Sequence, residues 1–148
     1  MTGLPLQQLD QRIATAEAAF RGLGRVQLVD PGTILGSPRT VMIAVDHPGW
    51  GLPTSALLQF VERWLLSGGI WHLTRYAYDL RMQPGPGRFG FHWHDGLYHT
   101  HCVDPGELDR DHHFQGAPID LFAAYQQFGC LLASGSPVTC QGLKPLRS

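Results

Sequence analysis

The chain has 148 residues, of which 43% are hydrophobic and 16% are charged, and its formal net charge is −1. This length and composition predict a single globular domain over residues 1–148, with a loosely held tail from about residue 136. The near-neutral charge excludes a broad polycationic grip on nucleic acid. Seven of the eight histidines lie between residues 72 and 113. This clustering points to the centre of the chain for function.

The N-terminus and the cysteines indicate a cytoplasmic protein with no membrane partner. Residues 1–8 have neither the basic nor the apolar region of a signal peptide, and the longest apolar run is far short of a membrane span. Cys102, Cys130 and Cys140 are odd in number and have no CxxC spacing, which argues against a disulfide framework or a zinc ribbon. The favoured interpretation is three small buried hydrophobic residues in a reducing compartment.

The first half of the chain predicts one helix followed by two strands. Residues 25–29 and 40–46 are rich in β-forming residues and read as strands. The helix is predicted over about residues 5–23, because apolar residues recur there at helical spacing: Leu9, Ile13, Ala16, Phe20 and Leu23.

The apolar run that follows Thr54 and Ser55 fits two structures. The two polar residues could cap a helix. A strand over the same residues is the alternative, since short apolar runs are ambiguous. A helix is favoured, because one helical stripe would contain Leu57, Leu58, Val61, Trp64 and Leu65.

Three further strands are predicted over residues 70–82, 88–94 and 97–103. The last two are joined by Asp95-Gly96, the strongest short-range signal for a two-residue hairpin turn, because both turn positions need a positive φ. The first two are joined by the Pro- and Gly-rich residues 84–87.

The four-residue loop over residues 84–87 sets a register between the strands that it joins. In that register Met82 pairs with Phe89 and Tyr78 pairs with Trp93. Apolar face then meets apolar face, whereas a one-residue slip would invert the faces. The aromatic face is therefore predicted to lie in the core.

The opposite face of the hairpin is predicted to carry a group of imidazoles. Asp79 would lie opposite His92, with Arg75 and Arg81 on the same face. His112 and His113 lie on an irregular acidic stretch and could fold back over it. Because side chains alternate between the faces of a strand, four histidines share this face: His92, His94, His99 and His101.

Pro118 predicts the start of the last helix. Gly129 or Gly135 would end it, and its predicted buried stripe is Ile119, Phe122, Ala123, Gln126 and Cys130. The expected fold class is α+β, an antiparallel sheet with a central histidine-bearing hairpin and helices packed on the aromatic face.

A metal site is one interpretation of the imidazole face. His92, His94 and His99 would hold zinc or another divalent transition metal, since cross-strand neighbours lie about 4.5–5.5 Å apart at Cβ. Asp79 would bind the metal or orient a ligand. An open coordination position would activate water for hydrolysis.

Acid–base catalysis on a phosphodiester, without any cofactor, is the favoured interpretation. One imidazole would accept a proton while another donates one. Asp79 would orient His92, and the arginines would hold the phosphate. This chemistry suits a ribonuclease-like enzyme that cleaves RNA through its own 2′-hydroxyl. The catalytic set is then His92, His99, His101, Asp79, Arg75 and Arg81.

A third interpretation is a solvated, histidine-rich sheet face on a non-catalytic protein-interaction domain. For a single histidine this reading would be favoured. Four imidazoles in one two-stranded ladder make it less favoured, because crowded imidazoles repel one another once protonated.

Residues 57–128 resemble the TumE family of toxin–antitoxin proteins in the order of their features. An apolar stretch with an acidic residue precedes Gly-Gly, two aromatic strands, paired histidines and a final helix. The family's Asp-Asn-Ala-Pro-His-His type motif corresponds here to Asp95-Gly-Leu-Tyr-His, which differs in sequence and length. The residues that carry the resemblance are Glu62, Tyr76, Tyr78, Trp93, Asp95, His99, His101, His112 and His113.

The resemblance implies a strand rather than a helix for residues 57–66. It also implies a small cytoplasmic toxin that is neutralised by an antitoxin protein, with nucleic acid as its target.

Overall fold

The computed structural model describes residues 3–21, 25–29, 39–47, 55–83, 87–103, 113–133 and 140. These residues form an α+β fold, as predicted. The elements in chain order are β1 Gly3–Pro5, α1 Leu6–Arg21, β2 Arg25–Val29, β3 Arg39–His47, β4 Ser55–Ser67, β5 Ile70–Gln83, β6 Arg88–His94, β7 Leu97–Val103, β8 His113–Gln115 and α2 Leu121–Ala133.

The strands form one antiparallel sheet in the order β2-β3-β4-β5-β6-β7-β8, and β1 pairs with β5 beside this path. The predicted hairpin is confirmed, since His92 pairs with His99. Asp95 and Gly96 have φ values of 52° and 74°, as the two-residue turn requires. The strands predicted over residues 70–82, 88–94 and 97–103 are thus β5, β6 and β7.

Residues 57–65 lie in a strand, and the helix predicted for them is wrong. β4 pairs with β3 on one side and with β5 on the other. The helical stripe is a false signal, because apolar residues occupy both faces of this interior strand. Leu65, for example, is 43% exposed. The buried side chains alternate along the strand, as Leu58, Phe60, Glu62 and Trp64.

A β-bulge changes which face of β5 is buried. The pairing of β5 with β4 skips Thr74, so the alternation of side chains is offset by one residue there. Trp71 is therefore buried in the same core as Tyr76 and Tyr78. Ile70, which uninterrupted alternation along the strand would place on that core face, is 41% exposed.

The pairing of β5 with β6 differs from the predicted register by two residues. Asp79 pairs with Gly90 rather than with His92, and the last pair before the loop is Arg81 with Arg88. The connection is longer than the four residues predicted for it, of which the first three lie outside the described part of the chain. A shift of two keeps the paired residues 76–81 and 88–93 on their predicted faces, so Asp79 still faces the imidazoles.

One hydrophobic core joins both helices to the aromatic residues of the sheet. Phe128 of α2 lies at its centre, with ring centroids 5.8 Å from Phe60 and 5.7 Å from Phe91. The packing of the two helices on a single face stays a prediction. Neither helix in the described residues is long and apolar enough to cross a membrane. The helical members of the core are Leu9, Ile13 and Ala16 of α1 and Leu121, Ala124 and Phe128 of α2.

The last helix begins later than predicted and buries a different stripe. Asp120 caps it, since its Oδ1 accepts a hydrogen bond from the backbone N–H of Ala123 at 2.8 Å. Gly129 lies inside the helix, and Cys130, predicted to be buried, is exposed. The residues that are buried are Leu121, Ala124 and Phe128.

Cys102 and Cys140 form a disulfide, contrary to the prediction of three reduced cysteines. Their Cα atoms are 5.7 Å apart, and 38 positions separate them along the chain. Cys130 is free and exposed. An odd number of cysteines is therefore compatible with one bridge and one free thiol. The other residues of the tail predicted to be loosely held, 136–139 and 141–148, lie outside the described residues.

A buried carboxylate lies between α1 and the sheet. Glu62 is 4% exposed and accepts hydrogen bonds from Tyr78 Oη at 2.6 Å, Arg12 Nη2 at 3.0 Å and Trp64 Nε1 at 3.0 Å. Burial, followed by the charge of Glu62, raises the pKa of Tyr78 well above its ordinary value, so Tyr78 stays a hydrogen-bond donor. These three donors make a buried charge tolerable at this position.

We expect Arg12→Met to lower the free energy of unfolding by about 3 kcal/mol, because it leaves the Glu62 carboxylate buried without a cation. Urea denaturation would measure the loss. Arg81→Met, at an exposed arginine of the same sheet, is the control and should stay within about 0.5 kcal/mol of wild type. Equal losses in the two variants would contradict this account.

Candidate metal centre

Five histidines meet on one face of β6, β7 and β8. β6 and β7 pair His92 with His99, and β8 brings His113 opposite His101. The suggestion that the second histidine pair folds back over this face is confirmed for His113, while its neighbour at 112 lies outside the described residues. Ring centroids of contacting pairs are 4.1–5.4 Å apart. The histidine cluster comprises His92, His94, His99, His101 and His113.

Three members of the histidine cluster bring ring nitrogens close enough to share one ion. One nitrogen from each of His92, His99 and His101 lies within 4.8 Å of the other two. Nε2 of His99 and Nε2 of His101 are 3.1 Å apart. Two nitrogens on a tetrahedral zinc ion, each bonded at about 2.0–2.1 Å, would be separated by about 3.3 Å. The spacing of the His99 and His101 nitrogens is therefore close to what zinc requires, and the His92 nitrogen would have to approach to within the same distance.

Asp79 holds His92 from the adjoining strand. Its Oδ1 lies 2.9 Å from His92 Nε2 and 3.1 Å from Arg88 Nε. Burial on its own would raise the pKa of Asp79, but the hydrogen bond and charge of His92, followed by those of Arg88, outweigh burial and lower it. The hydrogen bond occupies one nitrogen of His92 and leaves the other free to bind a metal.

Gly90 provides the space in which the Asp79 carboxylate lies. A Cβ at this position would overlap Asp79 Oδ1 and would lie only 2.8 Å from the carbonyl oxygen of Tyr78. Because glycine has no side chain, the carboxylate can reach both Arg88 and His92 across β6. The absence of a side chain at residue 90 is thus part of the site.

Of the predicted arginines, neither makes the ion pair at the centre. Arg81 is exposed and pairs across the strands with Arg88, and it is Arg88 that contacts Asp79. The sequence reasoning missed both Arg88 and Gly90. Both residues could have been predicted for this site, because the alternation of side chains along β6 places residues 88 and 90 on the same face as His92.

Arg75 and His94 lie together at the turn end of the hairpin. They line a cavity of about 270 Å³ that also contains Arg63 and Asp95. His94 Nδ1 lies 3.2 Å from Asp95 Oδ2, and the His94 side chain is 37% exposed. The three nitrogens that could share an ion therefore belong to His92, His99 and His101, whereas the predicted third ligand was His94.

His99 and His101 are neutral at pH 7. Burial, followed by the charges of neighbouring histidines with His92 first, lowers the pKa of His99 to about 4 and that of His101 to about 3. The backbone of Leu97 raises the pKa of His99 but offsets only a small part of this. A neutral imidazole keeps the lone pair that a metal ligand or a general base needs.

These lowered pKa values predict that the metal-free protein loses stability in mild acid. As the pH falls through about 6.5, His99 and His101 become protonated in the unfolded chain but stay neutral in the folded protein. The unfolded state is therefore favoured increasingly as the pH falls. We expect a loss of up to about 4 kcal/mol between about pH 7.5 and about pH 5, about 2 kcal/mol from each histidine, measured by urea denaturation in EDTA. His101→Gln should flatten the profile and His72→Gln, outside the histidine cluster, should not. A flat wild-type profile would contradict the assignment.

Comparisons of the chain with protein-family models, with curated proteins and with solved structures find no match. The likeness to the TumE family, with the toxin and antitoxin roles that it implies, therefore stays a prediction. Any function has to be argued from the site itself.

Proposed function

We propose that the protein is a hydrolase whose centre binds a divalent transition metal such as zinc through His92, His99 and His101. The observation that carries the proposal is the convergence of three ring nitrogens within 4.8 Å, two of them 3.1 Å apart. The neutral state of His99 and His101 supports it, since neutral imidazole is the ligating form. Three histidine ligands leave a coordination position for water, as in hydrolytic zinc sites.

The remaining residues of the site have supporting roles in this proposal. A zinc ion held by three imidazoles lowers the pKa of bound water toward 7. Asp79 fixes the orientation and tautomer of His92 through its hydrogen bond, and Arg88 holds Asp79 in place. His94 and His113, whose rings flank the three ligands, are placed to exchange protons with water or substrate.

The substrate class proposed is an anionic ester, with the phosphodiester of RNA as the first example. Arg63 and Arg75 pair directly across β4 and β5, and both are exposed beside His94. Like charges at opposed positions repel each other, so an anion bound between them would be stabilising. Arg75 would then bind the phosphate at the edge of the site rather than at its centre.

Metal-free cleavage of RNA by the same histidines is the second candidate. The observation that favours it is the 2.9 Å hydrogen bond in which Nε2 of His92 donates to the Asp79 carboxylate, beside the neutral His99. One imidazole could then donate a proton while the other accepts one. In this case no cofactor is needed.

If the TumE likeness holds, the setting proposed for either activity is the cytoplasm, with an antitoxin protein as partner. This location requires that the Cys102–Cys140 bridge resist a reducing compartment, where disulfides are rare. Treatment of the folded protein with a glutathione buffer of cytosolic poise would check it.

The two activities are separated by assaying tag-free protein on a synthetic RNA before and after removal of metal with EDTA. The metal-dependent proposal expects no cleavage in EDTA and full recovery with one equivalent of zinc. It also expects His101→Ala to lower kcat by at least about 100-fold. Cleavage that persists in EDTA would favour the metal-free candidate. Zinc binding without cleavage of RNA or of a simple phosphodiester would favour a non-catalytic metal protein.

A further inference from the structure

A second candidate site lies on the opposite face of the hairpin from the histidine cluster. Trp93 pairs with Tyr98 across β6 and β7, in alternation with the pair of His92 and His99. The aromatic rings therefore point away from the imidazoles. They contribute to a cavity of about 350 Å³. This aromatic pocket has walls formed by Trp64, Tyr76, Trp93 and Tyr98 and a polar rim formed by Arg12 and Asp120.

The walls of the aromatic pocket are flat and held in place by packing. Trp64 is 1% exposed and Tyr76 is 4% exposed. Trp93 and Tyr98 stack with ring centroids 5.5 Å apart and an angle of 12° between their planes. Tyr76 contacts both of them in tilted geometry. Preorganised aromatic surfaces of this kind bind planar rings by stacking.

The polar groups of the aromatic pocket offer a donor and an acceptor. Arg12 donates to Glu62 through Nη2, but its Nε is buried and has no hydrogen-bond partner among the residues that the structure describes. Asp120 accepts from Ala123 through Oδ1, and a carboxylate has capacity for further donors. Tyr76 Oη accepts from the N–H of Ile119 at 3.3 Å and keeps its own proton to donate. A ligand would therefore meet hydrogen-bonding groups of both kinds.

The net charge at the rim selects against anionic ligands. Arg12 and Glu62 form an ion pair and largely cancel, which leaves the carboxylate of Asp120. The Asp120 carboxylate would repel an anionic head group at the rim. A neutral planar heterocycle with N–H groups and acceptor atoms on its edge satisfies both residues. The cavity volume also lies within the range of about 300–1,000 Å³ that is usual for small-molecule sites.

We propose that the aromatic pocket binds a nucleobase, presented as a nucleoside. The base would stack against Trp93 and Tyr98 while its edge contacts Arg12 and Asp120. The site is separate from the candidate metal centre, because the two lie on opposite faces of the same strands. The inference does not depend on the metal proposal.

The test is titration of the tag-free full chain, in EDTA, with guanosine, adenosine, cytidine and uridine in turn. Two tryptophans line the pocket, so quenching of their fluorescence reports binding, and calorimetry gives the stoichiometry. We expect saturable binding of at least one nucleoside at one per chain. Trp93→Leu should weaken it by at least about tenfold, since stacking on an aromatic side chain contributes about 1–3 kcal/mol per base.

A conservative variant separates recognition from folding. Asp120→Asn keeps a good helix cap but removes the charge, so it should preserve the fold and weaken binding of the nucleoside that wild type binds most tightly by about tenfold or more. Asp95→Asn, at the exposed hairpin turn, is the matched control and should bind like wild type. Three results would overturn the proposal: no binding of any nucleoside by the folded protein, equal affinity in wild type, Trp93→Leu and Asp120→Asn, or binding lost in His101→Ala but kept in Trp93→Leu.

Discussion

His99→Ala and His101→Ala are each expected to lower the affinity for zinc by at least about 100-fold. Each removes one of the three nitrogens that converge within 4.8 Å. The loss should exceed that for a hydrogen-bonded partner of a ligand, whose removal lowers metal affinity by about 10–100-fold. Asp79→Asn is such a change and should therefore give a smaller loss. Competition titration of the tag-free protein with a chromophoric chelator would measure all three.

The matched control for these variants is His72→Ala. His72 belongs to the same sheet but lies beside β1 and β4, outside the histidine cluster. Its removal should leave zinc affinity within about twofold of wild type. Circular dichroism would establish that every variant is folded. If His72→Ala weakened binding as much as His101→Ala, the metal would not be located at the histidine cluster.

Gly90→Ala is expected to lower the free energy of unfolding by about 2–3 kcal/mol. Its Cβ would overlap the Asp79 carboxylate and press on the Tyr78 carbonyl, and neither the sheet backbone nor the buried ion pair can move freely. The displaced carboxylate would also lose its hydrogen bond to His92. Zinc affinity should therefore fall by about 10–100-fold, although no ligand has been changed.

Gly129→Ala is expected to raise the free energy of unfolding, in contrast to Gly90→Ala. Apart from its chain neighbours and the backbone of its own helix, a Cβ at residue 129 would meet no atom of the described residues within 4 Å, and the residue lies inside α2. Alanine should therefore stabilise the helix by about 0.5–1 kcal/mol and leave zinc affinity unchanged. Denaturation and chelator competition on the two variants test the role of Gly90 together. Unchanged zinc affinity in folded Gly90→Ala would contradict the assigned role of Asp79.

The parts of the site that follow local rules could be predicted from the sequence. Asp95-Gly96 defines the turn because both residues adopt positive φ. The turn fixes the register of β6 with β7, and strict alternation then places four histidines on one face. The pairing of His92 with His99 is therefore readable from sequence alone.

The partners that depend on longer connections were harder to predict. The loop between β5 and β6 is rich in proline and glycine, and its length sets the register of the two strands. The observed register differs from the predicted one by two residues, which leaves the paired side chains on the same faces. The face of Asp79 is thus predictable, but its position beside Arg88 and over Gly90 is not. The bulge at Thr74 could not be predicted either, because no local sequence pattern indicates it.

The helix predicted for β4 was wrong for a different reason, because β4 is an interior strand. β4 has neighbours on both sides and carries apolar residues on both faces, so a helical stripe can be drawn through it by chance. The buried Glu62 within it is explained only by Arg12 and Tyr78, which lie 50 and 16 positions away in the chain. The Cys102–Cys140 bridge likewise joins residues that lie 38 positions apart in the chain.

X-ray absorption at the zinc edge, on tag-free protein loaded with one equivalent of zinc, tests the central claim most directly. The account predicts a first shell of nitrogen and oxygen only, at about 2.0–2.1 Å, with the outer-shell scattering of three imidazoles. This signature should be lost in His101→Ala. A sulfur shell at about 2.3 Å, which would point to the free Cys130, or a shell without imidazole scattering, would contradict the account.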